Sequence, residues 1–105
     1  MDPDLRAFIR QSVPSVLALE VLLFLRARPA ESWTSESLAR ALRNNASSCD
    51  AIMAAFASRG LLVRRGTDYV YAPETPALEL MAERLDHAYR ERRVSVINAI
   101  VGKGA

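Results

Sequence analysis

The chain has 105 residues, half of them apolar and a quarter charged, enough for one domain with a real core and too few for two. A net charge of +2 does not by itself name a nucleic-acid partner, and a single cysteine, Cys49, excludes an internal disulfide and a cysteine metal site. No basic, apolar and small-residue succession opens the chain, so no signal peptide is expected and a cytoplasmic, reducing location fits.

The kind of charge says more than its amount. Of fourteen basic residues thirteen are arginine, and only Lys103 is lysine. Arginine suits phosphate contact better than lysine does, although an arginine- and alanine-rich chain also follows from GC-rich coding.

In chain order, "DPDLRAFIRQ" places Pro3 in a first helical turn, with Asp2 and Asp4 near the positive end of the helix dipole. Pro14 interrupts, and Ser12 or Ser15 offers a cap for a second helix. That helix is predicted from Ser15 to Ala27, apolar on nearly every side. Leu17, Val21, Phe24 and Leu25 face one partner, and Val16, Leu19, Leu22 and Leu23 another. Its core, "VLALEVLLFL", is about half the length of a bilayer crossing and contains Glu20, so it reads as a buried helix and no membrane is expected. Part of its cover is expected from a second copy of the chain.

Pro29 ends that helix, and Trp33 falls on a very short strand. Thr34 or Ser35 caps a helix to about Arg43 with Leu38, Ala39 and Leu42 inward. "RNNA" is a break, because asparagine tolerates the left-handed conformation that ends helices. Ser47 or Ser48 caps the next helix, to about Ser58, with Cys49, Ile52 or Met53, and Phe56 inward, and Gly60 ends it. "LLVRR", "GTD" and "YVYA" then read as a two-stranded hairpin stopped by Pro73 and Pro76. One long helix is expected from Pro76 to about Val101, with Leu78, Met81, Leu85, Tyr89, Val96 and Ile100 on a broad face and Gly102 at its end.

Nothing in this order suggests an enzyme. The lone histidine, His87, lies in the long helix, Cys49 faces the core, and the four glycines stand singly, so neither a nucleophile–base pair nor a phosphate loop is expected. Glu83, His87 and Glu91 share a helix face at spacings of four, but alternating charges on a helix surface read as a solvated face. No metal or cofactor is expected.

Through "WTSESLARAL", "CDAIMAAFASRGLLVRR" and "YVYAP" the chain resembles winged helix-turn-helix regulators, MarR-like in outline. The expected fold is mainly α with a small β-hairpin: one domain over residues 1–105, with a winged-helix core over 15–73 and a C-terminal dimerisation helix over 76–101. The implied function is a DNA-binding transcriptional regulator. The resemblance places Arg40, Arg43, Asn44 and Asn45 near phosphates, and Arg64, Arg65 and Thr67 at the wing. The face presented to the bases would be Ser47, Ser48, Asp50 and Ala51. That face lacks the arginine, lysine, asparagine or glutamine that bidentate base readout uses, and Asp50 faces a negative polymer, so weak base readout is expected. A homodimer is expected through Leu19, Leu22, Leu23, Val96, Ile97 and Ile100. The competing reading is a protein-interaction or assembly module that uses the smooth face of Ala51, Ala54 and Ala55.

Overall fold

Ser15, not Ser12, caps the apolar helix: its Oγ accepts a hydrogen bond from the Ala18 N–H at 3.0 Å. A computed structural model describes residues 1–102, so the lone lysine, Lys103, lies outside them. In it Pro3–Ser12 form α1, Val16–Arg26 α2, Ser35–Leu42 α3, Ala46–Ser58 α4, Pro76–Glu91 α5 and Arg93–Val101 α6. Ser32–Trp33, Leu62–Arg65 and Asp68–Tyr71 form β1, β2 and β3. The described chain is mainly helical, with one antiparallel sheet of order β1-β3-β2. Trp33 stands opposite Tyr69, and Leu62 opposite Tyr71.

The core is built on α2. Ala18, Leu19, Val21, Leu22 and Leu25 are fully or almost fully buried, enclosed by α4, α5, α6 and β3. From the other elements Leu38, Cys49, Met53, Phe56, Leu61 and Leu85 join the same cluster. The short strand at Trp33 brings the indole edge-on to Phe24, with ring centroids 4.9 Å apart, in the arrangement that aromatic quadrupoles favour.

The single long helix expected from Pro76 to Val101 is two helices. Arg92 leaves helical geometry at φ −139° and ψ 62°, and α6 folds back against α1, α2 and α5. A helix continuing straight through Arg92 would carry Val96 and Ile100 away from α1 and α2, against which α6 packs. The break leaves the first N–H groups of α6 without helical partners, and in return Val96 is completely buried, a gain of about 1.5–3 kcal/mol.

That fold-back also corrects the expected dimer surface. Leu19, Leu22 and Val96 are 0% exposed within the single chain, so their cover comes from α6 and its neighbours and not from a second copy. Leu23 and Ile100 are half-buried and packed on the core, and Ile97 is half-buried. No single described helix is long and apolar enough to cross a membrane, and α1 and α2 meet at a bend of 105°.

Candidate nucleic-acid interface

The segment from Thr34 to Asp68 is fixed by local hydrogen bonds that its sequence dictates. Thr34 and Ser37 form a reciprocal capping box at α3: Thr34 Oγ1 accepts from the Ser37 N–H at 3.0 Å, and the Thr34 N–H donates to Ser37 Oγ at 2.9 Å. At the other end of α3 the left-handed residue is Arg43, at φ 56° and ψ 52°, and neither of the asparagines. The Asn44 N–H then reaches back to the Ala39 carbonyl at 2.9 Å and closes the helix end.

The asparagines do other work. Asn44 Oδ1 accepts from the Asn45 N–H at 2.9 Å, and Asn45 Oδ1 accepts from the Ser48 N–H at 2.7 Å. Asn45 is therefore the cap of α4, where Ser47 or Ser48 was expected. Each amide oxygen accepts one backbone N–H and keeps a second lone pair, and both residues are exposed, so their NH₂ groups can donate to a phosphate.

Along α4, Cys49, Met53 and Phe56 are buried, and Ile52 and Ser48 are half-buried. The outward residues are Ser47, Asp50, Ala51, Ala54, Ala55 and Ser58, a smooth face carrying one negative charge. Burial pushes the Cys49 thiol pKa up, away from the reactive thiolate.

Arg59 follows α4 as its exposed C-cap residue. It did not figure among the expected site residues, although a basic residue just before Gly60 was the available signal. In the hairpin, Gly66 takes φ +65° while Thr67 keeps a negative φ, the pattern of a two-residue turn with glycine first. Arg64 is tied back to this turn: its Nε donates to the Gly66 carbonyl at 3.0 Å, and its guanidinium lies 5.7 Å from the Tyr69 ring centre. Arg65 stands opposite Asp68 at the end of the ladder, and Arg65 and Thr67 are exposed.

The ion pairs among the described residues join Arg26 to Glu79 and Asp86, Arg84 to Asp2, and Arg90 to Asp86, on α2, α5 and the cap of α1, while Arg6, Arg10, Arg28, Arg92 and Arg93 form none. Arg40, Arg43, Arg59, Arg64 and Arg65 are exposed and have no described carboxylate within 4.0 Å. In residues 34–68 these five arginines stand against only Glu36, Asp50 and Asp68, so the whole excess of positive charge in the chain falls there.

Where the ion pairs gather, Arg26 bridges α2 to α5 through Glu79 at 3.1 Å and Asp86 at 2.9 Å, and the Tyr71 hydroxyl donates to Glu79 at 2.5 Å. Burial pushes the Tyr71 pKa well up, and the hydrogen bond to the Glu79 carboxylate adds to the rise. For Arg26 burial works in the opposite sense, but Glu79 and Asp86 outweigh it and hold the guanidinium charged. Glu83, His87 and Glu91 line a cleft between α1 and α5, and no three metal-ligating side chains converge among the described residues.

Compared with the models of known protein families, with curated proteins and with solved structures, the chain matches none.

Proposed function

We propose that this protein is a winged-helix DNA-binding regulator that holds duplex DNA through its phosphates and reads sequence weakly. The observation that carries the reading is the local excess of charge: the five arginines around α3, α4 and the hairpin are exposed, form no ion pair among the described residues, and stand against only three carboxylates in residues 34–68. In this reading α4 lies along the major groove, and β2 and β3 are the wing. Arg40, Arg43 and the side-chain NH₂ groups of the exposed Asn44 and Asn45 meet one stretch of backbone, while Arg65 and Thr67 meet another. Ser47 and Ser48 lie closest to the bases. The arrangement gives affinity without a sharp code, because phosphate contacts set position and only base-edge contacts specify sequence.

A second reading draws support from the same helix. The exposed face of Ala51, Ala54 and Ala55 is shaped to pack against another protein more readily than to bond a base. One substitution separates the two. Ala54→Arg adds a cation on an exposed position, so a DNA binder tightens or stays unchanged, and a protein-docking face loses its partner. The direct test is titration of the purified chain against random duplexes. Asp50→Asn should tighten binding by removing a repelled charge, and Arg65→Ala should weaken it about equally on every sequence. Absence of binding at about 50 mM salt would remove the DNA reading and leave protein docking.

A further inference from the structure

The sheet order β1-β3-β2 leaves β2 at an edge, packed on β3 and α4. Its register decides which main-chain groups that edge presents. The two-residue turn makes Arg65 and Asp68 a hydrogen-bonded pair, and such pairs recur at every second residue of an antiparallel ladder. Val63 and Val70 are the next such pair, and the Ala72 N–H donates to the Leu61 carbonyl at 3.2 Å in the same phase. Leu62 and Arg64 fall between, so their N–H and C=O groups point away from β3. No described residue bonds any of those four groups.

An unpaired strand edge is a template for a further strand, and the side chains here decide which kind. Val63 and Arg65 lie on the outer face of the sheet, and Arg64 lies on the face that buries Tyr69 and Tyr71. All three are exposed, Val63 by 39%. With its Nε on the Gly66 carbonyl, Arg64 keeps two NH₂ groups as donors. Arg64 and Arg65 form no ion pair among the described residues, and Asp68 across the ladder is no exception. A second copy does not fit this edge, because two such strands side by side would bring four arginines together. Duplex DNA can neutralise the arginines but carries no peptide groups to continue the ladder. An extended acidic segment does both: its main chain bonds Arg64, its carboxylates meet the guanidiniums on either face, and an apolar side chain covers Val63.

We propose that the outer edge of β2 receives an extended acidic segment of a partner protein as a fourth strand of the sheet. This docking does not rest on DNA binding and uses a different surface from the alanine face of α4. Where the hairpin also holds DNA, the two ligands exclude each other at Arg65. The probe is the blocked peptide Thr-Val-Glu-Glu-Val-Thr, whose adjacent glutamates fall on opposite faces of a strand. With the whole chain, saturating peptide should slow hydrogen exchange of the Arg64 N–H at least about tenfold, read by NMR. The Val63 and Arg65 N–H groups, already bonded to β3, should change little. Arg64→Ala, which removes a charge and keeps the main-chain donor, should weaken binding severalfold. Arg64→Pro also removes the outward N–H, a change an edge strand tolerates, and should weaken binding at least about a further tenfold. Thermal unfolding reports whether that variant keeps its hairpin; Arg65→Glu, which alters no main-chain group, should weaken binding in any case. A peptide that binds without slowing the Arg64 N–H is held by charge alone and overturns the proposal. Equal binding by a version with lysine for both glutamates overturns it too, as does no binding at about 1 mM peptide.

Discussion

Arg43 sits at φ 56°, where a side chain with a Cβ costs roughly 1–2 kcal/mol, so its conformation and its charge are separable. Arg43→Gly should raise stability by up to about 1 kcal/mol, read from the urea midpoint, and should also weaken DNA binding if the guanidinium touches phosphate. A variant that is more stable but binds as well as the parent would make Arg43 only a helix terminus. Tyr71 gives a prediction in pH. Its folded pKa lies above the ordinary 10.0, so the fold favours the neutral phenol, and the resulting stability is complete below pH 10.0 and lost as the pH rises beyond it. Tyr71→Phe removes a hydrogen bond to a carboxylate and should cost about 1.5–3 kcal/mol near neutral pH. In denaturant unfolding the gap to the parent should narrow above pH 10; a constant gap would mean that Tyr71 does not titrate differently in the folded state. At this scale sequence could not rank neighbours. Asparagine and serine cap helices about equally well, so "NNASS" left the cap of α4 undetermined until Asn45 was seen to accept from Ser48.

Elements with strong periodicity and clear punctuation were legible: α2 after Pro14, α4 with Cys49, Met53 and Phe56 inward, and the hairpin turning at Gly66. The break between α5 and α6 was not. "RERRVS" contains neither glycine nor proline, so nothing local forbids a continuous helix through Arg92. Tertiary burial decided the matter, and one hidden fact produced two errors: α6 returns over α2, and so supplies the cover that the sequence pattern assigned to a second copy. If Val96 anchors that return, Val96→Ala should destabilise the chain by about 1–3 kcal/mol in denaturant unfolding, whereas Val94→Ala on the outer side should change little. Equal small effects would mean that α6 contributes little to the core. Among the candidate site residues, sequence located Arg40, Arg43, Arg64 and Arg65 but could not tell Arg64, held by Gly66 and Tyr69, from the outward Arg65.

Across the whole molecule the organising feature is the excess of positive charge over residues 34–68, carried by five exposed arginines that form no ion pair among the described residues. The excess itself can be counted in the sequence; what the sequence could not show is that Arg26 and Arg84 are paired, because their ion pairs reach across 53 to 82 residues. If the surface of residues 34–68 binds duplex DNA through phosphates, the affinity must follow counterion release. The most direct measurement is the dependence of the binding constant on salt for two duplexes of unrelated sequence. Three phosphates neutralised by Arg40, Arg43 and Arg65 give a log–log slope of about −3 per chain, with nearly the same slope and affinity on both duplexes. A flat salt dependence, or no binding at low salt, would contradict it.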